Sequence, residues 1–500
     1  MKQIVFIFLC LPIIASAQLK LAKPFSSNMV LQREQPIHFW GKGLPGENVL
    51  VEFGGATKSI VVKQDSSWGL YFNKLKASGL PLNLIVKSAG QSIVLSNILI
   101  GDIWLCIGQS NMQFSLKEEI HYRDEIKRTE LAGLRFYNPS FIGKGVFNKA
   151  FTDSMIQRLT INEFYENVSW QESDSLSARD MTAVGYYFGK QLLQETGVPI
   201  GLVHLAIGGC PIETFISKDA FMNSKQFSSK VNGNWLTNTQ LPVWIKERGV
   251  QNVGGFDKVR SDELGPNHGY KPGFAFEAGI QPLVPLPIKG VLWYQGESNA
   301  QEIDRVMEYA ALQKLMIEDY RKLWRKDNLP FYWVQLSSID SVNYKSQLWP
   351  LFRDEQRKLL SLVKNGGMAV CSDIGAKSNV HPTNKKLVGE RLARWALLQE
   401  FKKEVLPSGP LPLSAIYENN EIVIHFKYAG TQLSTSDSLA LRGFSINGVD
   451  EVNAVIKKNR VIIQVQQKPE FIYYGWKPYT IANLVNGESL PASTFKIKVQ

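Results

Sequence analysis

Cysteine is scarce in this chain of 500 residues, which has 4 of them: Cys10, Cys106, Cys210 and Cys371. Cys10 lies in an amino-terminal segment that we expect to be removed, and the odd, sparse remainder cannot form a disulfide framework. Cys106 and Cys371 lie in apolar runs, which indicates buried thiols that pack as small hydrophobic groups. A hydrophobic core must therefore stabilise the fold, and a content of 44% hydrophobic and 11% aromatic residues favours a large core.

Long hydrophobic runs are missing as well. An apolar stretch over residues 4–14 follows Lys2 and precedes Ala15-Ser16-Ala17, and it is too short for a normal membrane span. A charged start, a short apolar region and an A-x-A site are typical of a signal peptide. We expect cleavage after Ala17, export to the periplasm or the extracellular space, and a mature protein without a membrane span or a lipid anchor.

The chain lacks clusters of like-charged side chains, although its net charge is +11. A basic chain can favour anionic ligands such as acidic glycans, but scattered charge does not predict a nucleic-acid partner. No histidine or cysteine cluster has metal-ligand spacing, so we expect neither a metal nor an organic cofactor. The sequence leaves the oligomeric state open.

The pattern of strands and turns divides the rest of the chain into three parts. Residues 18–98 show short apolar runs between glycine-containing turns, which predicts an all-β domain. Residues 99–405 predict an α/β body, in which the polar, weakly periodic segment 218–271 is expected to be a long insertion over the sheet edge. Residues 406–500 return to alternating patterns and predict a carboxyl-terminal β domain.

Buried apolar runs alternate with helical patterns in the central part. The runs cover residues 103–107, 201–207, 290–294 and 367–371, and the helical patterns cover residues 183–195, 307–324 and 384–401. This alternation predicts an α/β fold with a parallel sheet and flanking helices. Because the carboxyl ends of parallel strands meet at one edge, we expect the polar turns that follow the runs to converge there.

Ser110 lies in the turn after the first run, within Gly108-Gln109-Ser110-Asn111-Met112. A helix predicted over residues 112–119 would place its hydroxyl at a helix amino terminus, where backbone N–H groups face a bound ligand. An accessible hydroxyl beside such donors is what a serine nucleophile needs. An ordinary N-cap serine is the alternative interpretation.

His381 is the best candidate for the general base among the 6 histidines. It follows the last apolar run and precedes Pro382, which can begin a helix. His268, in the insertion, is the rival, as a base or a substrate contact. The others are assigned to the β domains, to a charged helix or to a buried strand (His38, His425, His121 and His204).

Short motifs in a constant order extend over most of the chain. They are 29–33 (MVLQR), 104–112 (WLCIGQSNM), 207–213 (IGGCPIE), 293–300 (WYQGESNA), 381–385 (HPTNK), 388–392 (VGERL), 474–476 (YGW), 482–486 (ANLVN) and 490–493 (LPAS). Each motif is weak alone, but together they resemble the sialate O-acetylesterase family, within the SGNH group of serine esterases. The resemblance implies an SGNH-like catalytic domain after an amino-terminal β-sandwich.

The resemblance also implies roles for the polar turns. It makes Ser110 the nucleophile and His381 the base. SGNH enzymes often carry an aspartate three residues before the histidine, where this chain has Ser378. Either Asp373, the nearest preceding acid, or a backbone carbonyl would then orient the imidazole, and the sequence leaves both open. For the oxyanion and substrate we expect the backbone of Gly208 or Gly209, the amide of Gln295 or Asn299, and support from Gln109 and Glu297.

The resulting hypothesis is a secreted serine esterase that removes O-acetyl groups from carbohydrates through an acetyl-enzyme. The resemblance implies O-acetylated sialic acid as substrate, and acetylated xylan or another polysaccharide is the first alternative. A glycan-binding protein without catalysis is a further alternative, which the convergence of Ser110, Gln295 and His381 at strand ends disfavours.

Overall fold

The computed structural model describes residues 18–254 and 256–500. The predicted signal peptide, residues 1–17, lies outside the described residues and so does Cys10. Within the described part of the chain, no helix has both the length and the hydropathy that crossing a bilayer requires.

Residues 18–98 are built from strands, as the short apolar runs predict. The strands are β1 (Lys20–Leu21), β2 (Val30–Gln32), β3 (Ile37–Lys42), β4 (Asn48–Phe53), β5 (Ala56–Val61), β6 (Ser67–Phe72), β7 (Ser78–Ser88) and β8 (Gln91–Gly108). Strand β3 pairs antiparallel with β1 and β6, and β4 joins β5 to β7.

The central part contains helices and further strands. The helices are α1 (Ser110–Gln113), α2 (Tyr122–Glu125), α3 (Asp153–Gln157), α4 (Ser175–Arg179), α5 (Ala183–Thr196), α6 (Lys218–Met222), α7 (Val243–Val253), α8 (Ile303–Leu323), α9 (Trp349–Leu362) and α10 (Lys386–Gln399). The strands are β9 (Leu131–Tyr137), β10 (Gln171–Ser173), β11 (Ile200–His204), β12 (Ser261–Asp262), β13 (Gly265–Pro266), β14 (Gly290–Tyr294), β15 (Phe331–Val334) and β16 (Gly366–Ala369).

The central sheet has the strand order β10-β9-β11-β8-β14-β15-β16. All neighbours pair in parallel except β10, which is antiparallel to β9 at the edge. The α/β prediction is therefore confirmed as a mixed sheet, and α5, α8 and α10 lie where the three helical patterns predict helices.

Strand β8 connects the first part of the chain to the second. Its first seven residues alternate in exposure, and every residue from Ile98 to Gly108 is buried. The alternating half pairs antiparallel with β7, and the buried half lies in parallel between β11 and β14. The boundary predicted between residues 98 and 99 thus falls inside one continuous strand, and a single hydrophobic core extends across it.

The segment 218–271 is more ordered than its polar composition predicts. It contains α6, α7 and the β12–β13 pair, and its apolar side chains are buried, among them Trp235, Leu241 and Ile245. Sparse but well-placed apolar residues pack it onto the body, so it is a folded part of the molecule rather than a loose excursion.

The carboxyl-terminal part is again built from strands. They are β17 (Leu411–Glu418), β18 (Glu421–Lys427), β19 (Leu433–Thr435), β20 (Phe444–Ser445), β21 (Ala454–Lys457), β22 (Arg460–Gln464), β23 (Phe471–Tyr474), β24 (Leu484–Asn486) and β25 (Phe495–Lys498). This part has its own core. Buried Arg353 of α9 connects it to the body by donating to the carbonyls of Gly475 and Pro478, both at 3.1 Å.

Candidate active site

Ser110 begins a helix of a single turn directly after β8. Gly108 has φ of +137°, and a Cβ there would lie 2.1 Å from the carbonyl oxygen of Tyr294, so the sharp exit from the strand requires glycine. The helix predicted over residues 112–119 is shorter than expected: it ends at Gln113, because Ser115 and Glu118 form a capping box for a new 3-10 turn. A macrodipole over one turn is small, so the serine relies on local N–H groups.

Ser110 and His381, 271 residues apart in sequence, meet at the carboxyl edge of the sheet. The Oγ of Ser110 lies 2.8 Å from the Nε2 of His381. His381 follows Asn379, whose Oδ1 accepts from the backbone N–H of His381 at 2.9 Å. Pro382 does not begin α10, which starts at Lys386, so the histidine lies in a loop instead of at a helix start. The predicted convergence of these two residues is present.

Gln109 and Asn111, on either side of the serine, connect its turn to the neighbouring loops. The Oε1 of Gln109 accepts from the Nε2 of Gln295 at 3.1 Å and from the N–H of Ser298 at 3.2 Å. The Nδ2 of Asn111 donates to the carbonyl of Val380 at 2.9 Å, next to His381. Both side chains are buried, so they determine where the serine turn lies relative to the base.

A buried carboxylate and a buried ammonium flank this turn. Asn111 donates to Oε1 of Glu297 and accepts from Nζ of Lys385. Burial raises the pKa of Glu297, whose Oε2 has no partner among the described residues. Burial lowers the pKa of Lys385 to about 7. The pKa of His381 is lowered from its ordinary 6.5, first by burial and then by the charge of Lys385.

The backbone N–H groups of Ser110 and Gly209, two residues that line the site, have no acceptor among the described residues. Gly209 has φ of +76°, and a Cβ on it would lie 2.4 Å from the Oη of Tyr270. The N–H of Gly208, by contrast, donates to the Oε1 of Gln113 at 2.7 Å. Of the two glycines expected from the sequence, Gly209 is therefore the one with an available donor.

The amides of Gln295 and Asn299 are engaged inside the protein instead of facing the site. The Nε2 of Gln295 donates to the Oδ1 of Asn299 at 2.8 Å, and the Nδ2 of Asn299 donates to Glu213 at 3.0 Å. Both side chains have no exposed surface. One of these amides was expected to donate directly to the oxyanion. Neither is placed to do so, because each already donates to a buried acceptor.

Asp373 does not reach His381 in this arrangement. Its two carboxylate oxygens accept from the two terminal nitrogens of Arg391, each at 2.7 Å. Arg391 also donates to the carbonyl of Val370 at 2.7 Å. The sequence left open whether Asp373 or a backbone carbonyl orients the imidazole. The geometry does not form the triad with Asp373, because the nearby guanidinium of Arg391 binds that carboxylate.

The remaining histidines and cysteines with possible chemistry are structural. His268 is buried, stacks on Phe151 with ring centroids 5.5 Å apart, and bonds to Asn252. His204 is buried beside Asn138. Burial lowers the pKa of both imidazoles to about 3. The described cysteines Cys106, Cys210 and Cys371 are free and buried, as their apolar surroundings predict for the first and last.

Ser110 and His381 open into a cleft of about 810 Å³. Gln109, Gly209, Glu297 and Ser298 also line it, whereas Gly208, Gln295, Asn299 and Asp373 do not. The walls are aromatic, charged and amide side chains from the insertion and from two other loops: Phe147, Asn148, Trp244, Glu247, Arg248, Asn343, Tyr344 and Lys345.

The sequence predicts the insertion over this edge of the sheet, but it carries no motif for the two loops around residues 147 and 344 that also line the cleft. It also assigned no role to Lys385, although the motif HPTNK contains it. The spacing of that lysine after the histidine was the available signal.

Comparisons with known proteins find carbohydrate esterases. A family model described as carbohydrate esterase, sialic acid-specific acetylesterase, matches residues 277–397. The sialate O-acetylesterase of Homo sapiens is 27% identical over 442 residues, covering 81% of this chain and 75% of that protein. The Mus musculus sialate O-acetylesterase is 26% identical over 427 residues, covering 79% of this chain and 76% of that protein.

A solved structure is similar over almost the whole chain. It is a carbohydrate acetylesterase from Xanthomonas citri, with a TM-score of 0.77 and 27% identity, covering 96% of this chain and 100% of that one. The resemblance that the motifs carry is thereby confirmed from sequence and from structure: the chain is similar to sialate O-acetylesterases and to a carbohydrate acetylesterase, and it is a carboxylic ester hydrolase.

Proposed function

We propose that this protein removes O-acetyl groups from carbohydrates with a serine–histidine dyad. The observation that carries the proposal is the 2.8 Å contact between the Oγ of Ser110 and the Nε2 of His381 at the floor of an open cleft. A nucleophile within hydrogen-bond reach of a base is the arrangement that acyl transfer through a covalent intermediate needs. The similar proteins named as sialate or carbohydrate acetylesterases support an acetylated sugar as substrate.

The proposed reaction has two half-reactions. His381 takes the proton of Ser110 as Oγ attacks the acetyl carbonyl, and then gives that proton to the departing sugar oxygen. This leaves an acetyl ester on Ser110 and a free sugar hydroxyl. Water attacks the ester with His381 again as base, and collapse of the second intermediate releases acetate and returns the proton to Ser110.

The oxyanion donors in this proposal are backbone groups. The N–H groups of Ser110 and Gly209 have no acceptor among the described residues and lie at the edge of the cleft, where charge develops on the carbonyl oxygen. Gln295 and Asn299 support the site indirectly, since they position Gln109 and with it the serine turn. Glu297 contributes through Asn111, which it holds next to the nucleophile.

We further propose the SGNH-like arrangement and the three-part division of the sequence: 18–98, 99–405 with the insertion 218–271, and 406–500. A β-sandwich in the first part is supported by packing between its sheets, since the ring centroids of Phe39 in β3 and Phe53 in β4 are 5.0 Å apart. Export to the periplasm or outside the cell is supported by the signal-peptide pattern of residues 1–17.

Acetate release from a panel of substrates tests the function. The panel contains O-acetylated sialic acid, acetylated xylan and 4-nitrophenyl acetate, each assayed with the wild type, Ser110→Ala and His381→Ala. We expect both variants to lose at least about 10³-fold in rate on every substrate, because each removes half of the dyad.

Matched control variants distinguish the loss of a catalytic side chain from a general effect of a serine-to-alanine or histidine-to-alanine substitution. Ser361→Ala changes an exposed serine of α9, and His425→Ala changes a histidine of the carboxyl-terminal sheet; both should keep wild-type rates. Ser110→Ala should also keep the wild-type melting temperature, since Ser110 makes one side-chain hydrogen bond. Substantial activity in Ser110→Ala, or acetate from aryl but not from any sugar ester, contradicts the proposal.

A further inference from the structure

The cleft contains a guanidinium that the reaction leaves unused. Arg248 lies on α7, is half-buried, and lines the same cleft as Ser110. Its side chain donates to the Oδ1 of Asn148. Within the described residues no carboxylate forms an ion pair with it, and its Nε is buried without an acceptor. A cation that is fixed in place and lacks an anionic partner is suited to bind an anion from outside.

Aromatic rings fix the orientation of this guanidinium. Its Cζ lies 5.3 Å from the ring centroid of Trp244 and 6.0 Å from that of Phe147. Trp244 and Arg248 are one helical turn apart on α7, so they share a face. Stacking on rings restrains the plane of the guanidinium and keeps its donors pointed along that plane.

The same tryptophan reaches the reacting turn. A Cβ on Gly209 would lie 3.1 Å from the ring of Trp244, so the indole packs against the turn that carries the proposed oxyanion N–H. The order along this wall of the cleft is therefore the Gly209 turn, then Trp244, then Arg248. A sugar whose acetyl group lies at Ser110 would extend over the indole toward the guanidinium.

The other charged groups of the cleft do not neutralise Arg248. Glu302 accepts from the N–H of Val243 at 2.7 Å, and Glu297 is held by Asn111. Glu247 lies on the same helix but is exposed and has no ion pair with Arg248. Lys345, on another loop, is the rival cation in the cleft.

We propose that Arg248 binds the carboxylate of an acidic sugar whose O-acetyl ester lies at Ser110, and that it thereby selects sialic-acid-type substrates over neutral ones. The inference rests on the proposed function. Guanidinium and carboxylate match in a planar, two-bond geometry that a neutral pentose or hexose cannot provide. In sialic acid the carboxylate and the glycerol chain, which carries acetyl esters, are attached to different ring carbons on either side of the ring oxygen, so the anion and the acyl group occupy separate positions.

A comparison of two nearly identical substrates tests this assignment. O-acetylated N-acetylneuraminic acid and its carboxamide differ only in the charge at the carboxyl carbon. For the wild type we expect kcat/KM, measured as acetate release, to be about 10-fold higher for the acid, in line with a hydrogen-bonded charge pair of about 1.5 kcal/mol. The difference should appear mainly in KM, because the contact is distant from the reacting bond.

Variants identify which cation is responsible. Arg248→Gln should reduce the ratio of kcat/KM for the acid to kcat/KM for the carboxamide to about 1. Arg248→Lys should retain part of this ratio, because lysine keeps the positive charge but cannot form the two parallel hydrogen bonds of a guanidinium. Arg260→Gln, an exposed arginine of the same insertion, is the matched control and should keep the wild-type ratio. Hydrolysis of 4-nitrophenyl acetate by each variant reports whether the dyad itself is intact.

Each other outcome contradicts the assignment. A wild-type ratio near 1 overturns it without any variant. Loss of the ratio in Lys345→Gln and not in Arg248→Gln assigns the anion to the rival cation. Acetate from acetylated xylan with none from acetylated sialic acid overturns the Arg248 proposal and leaves the carbohydrate esterase standing. Activity on aryl acetate alone overturns the proposed function as well.

Discussion

Asp373 and Arg391 form a two-bond ion pair, with Oδ1–Nη1 and Oδ2–Nη2 each 2.7 Å, on the loop that precedes His381. The carboxylate that the sequence offered as an orienter of the imidazole is thus the partner of a buried guanidinium from α10. Within the described residues, the one side-chain hydrogen bond of His381 is that to Ser110.

Asp373→Asn is therefore expected to act on stability more than on catalysis. Loss of the charge leaves Arg391 buried without its counterion, which should lower the free energy of unfolding by about 1–3 kcal/mol. The rate should change only a fewfold, in contrast to the roughly 10⁴-fold loss caused by the corresponding change in a serine protease triad. Urea unfolding and acetate release measure the two effects. A loss of 10²-fold or more in kcat with an intact fold would restore the triad.

The pH profile should follow His381, which must be neutral to accept the serine proton. Since burial and Lys385 lower its pKa below 6.5, the imidazole stays neutral and active to a lower pH than a free histidine would. We expect kcat/KM to be level near neutrality and to fall only as the pH drops through that lowered value.

Lys385→Met tests the electrostatic part of this shift. Without the neighbouring positive charge the pKa of His381 should rise, so the acid limb of kcat/KM should move to higher pH. Lys385 itself, with a pKa of about 7, is charged throughout the acid limb, so its effect falls in the measured range. Lys386→Met, on the next and partly exposed residue, is the control. An unmoved limb in Lys385→Met would show that burial alone sets the pKa.

Gly209→Ala should damage catalysis through the turn that carries the proposed oxyanion donor. Its φ of +76° disfavours alanine, and the added Cβ would collide with Tyr270, so the N–H must shift. If that N–H stabilises the oxyanion, kcat should fall by about 10²–10³-fold. Gly233→Ala is the control: at φ of +69° and with open space around it, alanine there causes backbone strain but no collision, and kcat should stay at the wild-type value. Equal kcat in both variants would remove Gly209 from the oxyanion site.

Lys230 should matter for stability although it lies outside the cleft. It is buried between Glu213 at 2.9 Å and Glu308 at 2.7 Å. Lys230→Met leaves buried Glu213 without its cation, whereas Glu308 keeps Arg305 at 3.0 Å, and the change should cost about 3–5 kcal/mol in unfolding free energy. Adding Glu213→Gln should recover part of this loss, and exposed Lys225→Met should cost almost nothing. A Lys230→Met protein as stable as the wild type would show that the carboxylates are neutral or hydrated.

Interior charges of this kind could not be assigned from the sequence. Glu213 and Arg391 lie in the motifs 207–213 and 388–392, whose sequences do not reveal an interior partner, yet both side chains are buried and paired with an opposite charge. The desolvation cost of burying a charged side chain is offset only when a distant segment supplies a partner of opposite charge. The periodicity of the sequence carries no information about such partners. The same reason explains why the amides of Gln295 and Asn299 were expected to face the substrate.

The sequence by itself determined the strands, the main helices and the candidate nucleophile and base. Apolar runs predict buried strands, and the glycine and polar residues that bound them predict turns, because both features depend on residues that are neighbours in sequence. Ser110 and His381 could be paired because parallel strands bring their carboxyl ends to one edge. Only the tertiary structure decided what each polar group faces: Asp373 turned to Arg391, the N–H of Gly209 left available, and Arg248 set beside Trp244 in the cleft. Hydrogen bonds and ion pairs depend on distances of a few tenths of an ångström between distant segments, and only the packed chain fixes those.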